Sequence, residues 1–246
     1  MSRVLSLVLA HQPAVQIQQL LRWWSDYSSL DSLLIAYGGT EENFRSLPDV
    51  PRMFIDDARL KGKDLQREKQ SYGGIWRATA KFLSEPANRD FSHIYFAEYD
   101  HLPVVRDIHC KLLERMQVEQ ADVLAHHLRR VDGTANPFYL NHIADPAFRP
   151  FWRKISRRTD KTTVLQMMGS ASFWTREAFI QTANQPEEIK VYLELFLPSV
   201  AHHLGFRLRD LKEQNECVRH APFEYLSVKY ARQRGNWAVH PIKKLT

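Results

Sequence analysis

Cysteine and glycine are scarce in this chain of 246 residues, and so are long apolar runs. The only two cysteines, Cys110 and Cys217, make no disulfide framework, which favours a reducing compartment over a secreted scaffold. With nine glycines, the chain lacks the G-x-G-x-x-G fingerprint of dinucleotide-binding folds. No apolar run reaches the ~20 residues of a membrane span. The composition therefore excludes the disulfide-rich, dinucleotide-binding and membrane-spanning classes.

The remaining composition is that of an ordinary globular protein with a basic balance. Hydrophobic residues make up 44% and charged residues 25%, which disfavours disorder. The net charge of +6 suits a nucleotide, a nucleic acid or an anionic membrane surface equally. Length and the lack of repeats or linkers predict one domain.

Short apolar runs alternate with helical patterns in the first half of the chain. The runs cover residues 4–10, 33–36, 52–55 and 93–97. They do not alternate with polar residues, which predicts parallel strands buried on both faces. We interpret the first run as a strand rather than a signal sequence, because no small-x-small cleavage site follows it. Helical spacing over 14–24 and 64–83 completes the pattern of an α/β domain with a mainly parallel sheet.

The second half is less regular but follows the same scheme. Its pattern predicts, in order, a helix over 106–119, strands over 121–128 and 162–168, helices over 175–183 and 186–204, and a turn into a strand at 205–208. The region between 137 and 150 contains several prolines and is predicted to be a loop.

Polar residues follow each strand of the first half, at the edge where ligands bind in open parallel sheets. The segments are His11-Gln12-Pro13, Tyr37-Gly38-Gly39, Asp56-Asp57 and Glu98-Tyr99-Asp100. The carboxylates of Glu98 and Asp100 can face one side if the strand bends there. They would then bind Mg²⁺ or Mn²⁺, which prefer oxygen ligands. A charged turn that only ends the strand is the alternative.

This order of elements resembles the GT-A-type, nucleotide-sugar-dependent glycosyltransferases. Residues 168–178 (MGSASFWTREA) resemble the family's segment beside the acceptor, and 192–195 (YLEL) followed by 203–207 (HLGFR) resemble its acidic helix and basic turn. The likeness covers residues 4–210. It departs from the family in having Glu-x-Asp instead of Asp-x-Asp, a single Glu194 instead of an acidic pair, and no acid after the second strand.

The resemblance implies a single GT-A-like domain with a nucleotide-binding half at about 1–105 and an acceptor half at about 106–246. It implies a Mn²⁺ or Mg²⁺ ion held by Glu98, Asp100 and His240, and a nucleotide diphosphate sugar as donor, with a UDP-sugar expected. Glu194 would be the general base of an inverting reaction. The implied donor contacts are His11, Pro13, Asp56, Lys69, Gly73, Glu98, Tyr99 and Asp100. Trp174 and Arg176 would shape the acceptor site.

The implied acceptor is a glycan or glycolipid, and the implied location is the cytoplasm, with peripheral contact at the inner face of the membrane.

Two other functions stay open. Residues 148–161 interleave basic and aromatic side chains, a pattern that can bind single-stranded nucleic acid or anionic lipid. The GT-A likeness disfavours nucleic acid. A GT-A-like domain without activity is the other alternative. A sugar-phosphate nucleotidyltransferase is disfavoured, because its glycine-rich phosphate loop is absent after residue 10.

Overall fold

A mixed seven-stranded sheet with helices on both faces forms the centre of the protein, as seen in a computed structural model. The structure describes residues 3–56, 65–132, 134–135, 137–159, 162–185, 191–215 and 224–242. Among these residues, no helix combines the length and the apolar character needed to cross a membrane.

The strands of the large sheet are β1 (Arg3–Ala10), β2 (Leu33–Tyr37), β3 (Arg52–Phe54), β4 (Phe91–Glu98), β6 (Val123–Arg130), β7 (Leu165–Thr175) and β8 (Leu208–Asp210). Their order in the sheet is β3-β2-β1-β4-β7-β6-β8. The pairs β1–β2, β1–β4, β2–β3 and β6–β8 are parallel, whereas β7 runs antiparallel to both β4 and β6. Two short strands, β5 (Leu102–Pro103) and β9 (Ala238–Val239), form a separate antiparallel ribbon. The predicted mainly parallel α/β sheet is confirmed.

The helices connect and cover these strands. They are α1 (Ala14–Ser25), α2 (Glu41–Arg45), α3 (Leu65–Ser84), α4 (Ile108–Val118), α5 (Pro137–Ile143), α6 (Phe148–Thr159), α7 (Arg176–Ala183), α8 (Leu193–His203), α9 (Lys212–Asn215) and α10 (Glu224–Gln233). Helix α1 shows why the spacing was informative: Ile17, Leu20, Leu21 and Trp24 recur at helical intervals and are all buried.

Two hydrophobic cores lie on opposite faces of the sheet, since successive residues of β1 contribute to different cores. On one face, Trp76 of α3 stacks on Phe179 of α7 with ring centroids 4.1 Å apart. On the other, Trp24 of α1 lies 6.1 Å from Tyr95 of β4. Because both faces are covered, the central strands are continuously apolar rather than alternating.

The structure corrects the predictions in the second half. Strand β7 starts at Leu165 and runs to Thr175, beyond the predicted end at 168, and it pairs with both β4 and β6. The region predicted as a loop between 137 and 150 contains α5 and the start of α6. Helix α8 begins at Leu193 and continues through Pro198. Residues 186–190, the predicted start of that helix, lie outside the described residues.

Candidate metal centre and active site

Strand β4 delivers two carboxylates to the edge of the sheet. Glu98 is its last residue, and the chain then turns, with the His101 amide donating to the Glu98 carbonyl over 2.9 Å. The Tyr99 amide continues the sheet by donating to the Leu9 carbonyl over 2.8 Å. This turn brings the carboxylates of Glu98 and Asp100 to one side, which is the bend that a shared metal site was predicted to require.

The C-terminal segment places His240 against these carboxylates. Strand β9 pairs with β5, which follows the turn, and the Ile242 amide donates to the Asp100 carbonyl over 2.8 Å. The His240 Nε2 atom lies 3.4 Å from Glu98 Oε2 and 3.2 Å from Asp100 Oδ1. One ligand atom from each residue lies within 4.8 Å of the others.

This geometry suits a divalent ion. Two ligands bound at right angles, each ~2.1 Å from one ion, are themselves ~3 Å apart, close to the separations seen here. Two carboxylate oxygens and one imidazole nitrogen form a donor set that Mn²⁺ accepts readily and Mg²⁺ tolerates. The Asp100 side chain is 1% exposed, that of His240 14% and that of Glu98 26%, so the site opens to solvent on the Glu98 side. The cluster fits the metal that the resemblance implies.

The two carboxylates concentrate negative charge around the His240 ring. Burial lowers the pKa of His240, but the hydrogen bonds and negative charges of Asp100 and Glu98 outweigh burial and raise that pKa to about 9. A protonated imidazole therefore satisfies the two carboxylates at neutral pH. A divalent cation can replace that proton, because both are positive charges held by the same oxygens.

A buried aromatic pair supports the turn from beneath. The Tyr95 hydroxyl and His101 Nε2 are hydrogen bonded at 2.7 Å, and the His101 ring lies 5.9 Å from that of His240. Burial, followed by the nearby His240 charge, lowers the pKa of His101 to about 3. His101 thus stays neutral and adds no charge beside the centre. Neither Tyr95 nor His101 was predicted from the sequence as part of the site, although His101 directly follows Asp100.

Glu194 lies in the first turn of α8 and is held from two sides. The Gly169 amide donates to Glu194 Oε1 over 3.0 Å, and the Tyr139 hydroxyl donates to Oε2 over 2.7 Å. Burial raises the pKa of Glu194 and the Glu98 charge adds to that rise, whereas the hydrogen bonds from Gly169, Tyr139 and the Tyr192 side chain oppose it. The Glu98 amide in turn donates to the hydroxyl of Ser170, the neighbour of Gly169, over 3.1 Å. Strand β7 thus links the carboxylate of Glu194 to the metal centre.

Of the predicted donor residues, His11, Pro13 and Asp56 follow strands β1 and β3 at this edge of the sheet. The His11 ring meets the Tyr99 ring edge-on, with centroids 5.2 Å apart. Pro13 is exposed at the start of α1, and Asp56 is exposed after β3. Lys69 lies on the first half of α3 together with Gly73, in a stretch whose side chains fall outside the described part of the structure.

Trp174 and Arg176, predicted at the acceptor site, are both used in packing. Trp174 is fully buried in the core, with its ring 4.9 Å from that of Trp76 and edge-on to it. The Arg176 guanidinium donates to the Leu83 carbonyl near the end of α3. Trp174 thus packs β7 against α3 and α7, whereas Arg176 joins α7 to α3.

The basic aromatic stretch forms the amphipathic helix α6. Phe148 and Ile155 are buried, whereas Arg149, Arg153 and Lys154 are exposed. The aromatic rings Phe148 and Phe151 stand 5.7 Å apart, and Phe151 lies 5.4 Å from the α8 residue Phe196. These aromatics are used in packing and do not form an open surface for stacking bases.

Comparison with known proteins identifies the fold. No family model and no curated protein sequence matches the chain. Among solved structures, the WbbM bifunctional glycosyltransferase is similar with a TM-score of 0.50 and 10% identity, over 99% of this chain and 46% of that one. The chain thus spans less than half of WbbM. A mannosyltransferase from Pyrobaculum calidifontis, in complex with GDP-Man and Mn²⁺, gives 0.47 and 12%, over 94% and 60%. A CMP:2-keto-3-deoxy-manno-octonic acid synthetase gives 0.45 and 11%, over 85% and 89%. The chain has a GT-A-type, Rossmann-like fold.

Proposed function

We propose that this protein is a metal-dependent glycosyltransferase that moves a sugar from a nucleotide diphosphate sugar to an acceptor hydroxyl with inversion. The observation that carries the proposal is the cluster of Glu98, Asp100 and His240 at the carboxyl edge of the sheet, linked through β7 to the carboxylate of Glu194. The GT-A-type fold supports it, because this fold binds ligands at that edge.

A metal ion at the carboxylate cluster would neutralise the charge of the leaving group. Breaking the bond to the sugar leaves a nucleoside diphosphate, whose added negative charge must be neutralised. Glu98, Asp100 and His240 would hold Mn²⁺ or Mg²⁺, which supplies Lewis-acid stabilisation of the diphosphate when bound. His11 and Tyr99 border the same edge and would contact the nucleoside. A UDP-sugar remains the donor we expect.

Glu194 would accept the proton of the attacking hydroxyl. The hydrogen bonds from Gly169 and Tyr139 fix the carboxylate in one orientation, and its raised pKa brings it closer to the range useful for a base at neutral pH. When Glu98 serves as a metal ligand, its charge is neutralised and it raises the pKa of Glu194 less. Inversion in a single step requires one base on the acceptor side and no nucleophile from the protein.

The polar turn after β1 distinguishes this proposal from nucleotidyl transfer. The Gln12 side chain bonds to the backbone amide of His11 over 2.9 Å, and the Tyr37 hydroxyl donates to the Gln12 carbonyl over 3.0 Å. Pro13 follows, without an amide hydrogen. The polar groups of this turn therefore bond to each other and to Tyr37, and the turn has no glycine-rich loop that could bind a triphosphate.

The test is release of nucleoside diphosphate from a panel of UDP-, GDP- and dTDP-sugars in the presence of Mn²⁺. We expect release from one donor class, and a fall of about 10²-fold or more in Asp100→Asn and in Glu194→Gln, with Glu194→Gln still binding the nucleotide. Glu177→Gln is the matched control, because Glu177 is exposed on α7. Equal release by the wild type and Asp100→Asn would contradict the proposal.

A further inference from the structure

Three aromatic side chains form a partly exposed cluster on α5 and at the start of α8. The rings of His142 and Tyr192 stack with centroids 4.3 Å apart and planes 11° from parallel. Phe138 stands edge-on to both, at 4.6 Å from His142 and 5.4 Å from Tyr192. Phe138 is 46% exposed, although most large apolar side chains of the described chain are covered. We refer to Phe138, His142 and Tyr192 as the aromatic platform.

The platform is tied to the carboxylate of Glu194 at both ends. Tyr139, the neighbour of Phe138, donates its hydroxyl to Glu194 Oε2 over 2.7 Å. Tyr192 is the N-terminal cap of α8 and comes two residues before Glu194; its side chain also hydrogen bonds to that carboxylate. A molecule bound on the platform would therefore lie at a constant position relative to the carboxylate of Glu194.

We propose that the aromatic platform is the acceptor subsite and binds a pyranose ring of a glycan. A pyranose presents a face of polarised C–H bonds, which the negative face of an aromatic ring attracts, while its hydroxyls project from the edge. The partly exposed rings of Phe138 and Tyr192 supply such a surface, and Glu194 supplies a hydrogen-bond acceptor beside it. That one of the projecting hydroxyls is the attacking group rests on the proposed transferase function; the binding of the sugar does not.

The test is saturation-transfer NMR on the whole protein without metal or nucleotide. The probes are methyl glycosides of glucose, galactose and mannose at millimolar concentration. We expect saturation of the C–H protons on one face of at least one sugar, and a loss of about fivefold or more in Phe138→Ala. Leu140→Ala is the matched control, because Leu140 lies on the same helix, is 37% exposed and is not in the platform. Its saturation should equal that of the wild type.

Two results would overturn the proposal: no saturation of any of the three sugars, or undiminished saturation in Phe138→Ala. Phe138→Ala removes a half-exposed ring, and its melting midpoint verifies folding. Nucleotide binding with Mn²⁺, measured on the same samples, separates this proposal from the proposed function. Nucleotide binding without sugar binding contradicts the platform alone. Sugar binding without nucleotide binding leaves the platform in place and contradicts the transferase.

Discussion

The metal affinity of this protein should depend steeply on pH, because a proton and a metal ion compete for His240. In the metal-free protein, hydrogen bonds and charges from Asp100 and Glu98 outweigh the effect of burial and hold the pKa of His240 at about 9. A metal ion needs the neutral imidazole, so binding must displace that proton at any pH below this value. The sign is therefore fixed: affinity rises as pH rises towards about 9 and levels off above it.

The size of the effect follows from the same pKa. At pH 7 the proton has to be removed two pH units below a pKa of about 9. That costs about 3 kcal/mol, or about 100-fold in the dissociation constant, and each pH unit below the pKa contributes about tenfold. His240 is mostly buried, so solvent reduces this figure only slightly.

Isothermal titration calorimetry with Mn²⁺ at pH 6.5, 7.5 and 8.5 measures the dependence. We expect the dissociation constant to fall by about tenfold per unit, with release of about one proton per ion in buffers of different ionisation enthalpy. His240→Gln should bind Mn²⁺ more weakly and lose most of the slope. A wild-type affinity that does not change across this range would refute the assignment of His240 as a protonated ligand.

Two further substitutions test the packing of the core and the role of the proposed base. Trp174→Ala should lower the free energy of unfolding by about 3–5 kcal/mol in urea titrations, because the indole is fully buried against Trp76 and Phe179. Trp174→Phe is the control, and it should lower the free energy of unfolding less. A loss under about 1 kcal/mol in Trp174→Ala would contradict this packing role. Tyr139→Phe removes a hydrogen bond that lowers the pKa of Glu194, so the acid limb of the pH–rate profile should move to higher pH while nucleotide binding is unchanged. An unmoved limb would show that Glu194 is not the titrating base.

The first half of the fold could be predicted because its signals are local. Buried parallel strands give continuous apolar runs, and α1 gives a clear helical period. Position relative to the strand ends was enough to identify Glu98 and Asp100 as a pair. The second half was harder, since β7 is antiparallel in a parallel sheet and carries small residues that resemble a loop.

The directions of side chains and the contacts between distant elements could not be predicted from the sequence. Trp174 faces the core because β7 pairs with β4 with Ile94 opposite it, a register that no local pattern reveals. Tyr139 lies 55 positions from Glu194 in the chain and comes to it only through the packing of α5 near α8. The family resemblance pointed to His240, and the structure places it beside the carboxylates through the short β5–β9 ribbon, which is too brief to predict from sequence.

The most direct test of the central claim is the melting midpoint with UDP, GDP, CDP and dTDP, each with and without Mn²⁺. A ligand that binds the native state at 100 times its dissociation constant adds about 2.7 kcal/mol of stability. We predict a rise of several degrees for one nucleotide, only with Mn²⁺, and its disappearance in Asp100→Asn. If no nucleotide raises the midpoint of the folded wild type, or if Asp100→Asn responds equally, the metal–diphosphate site is contradicted.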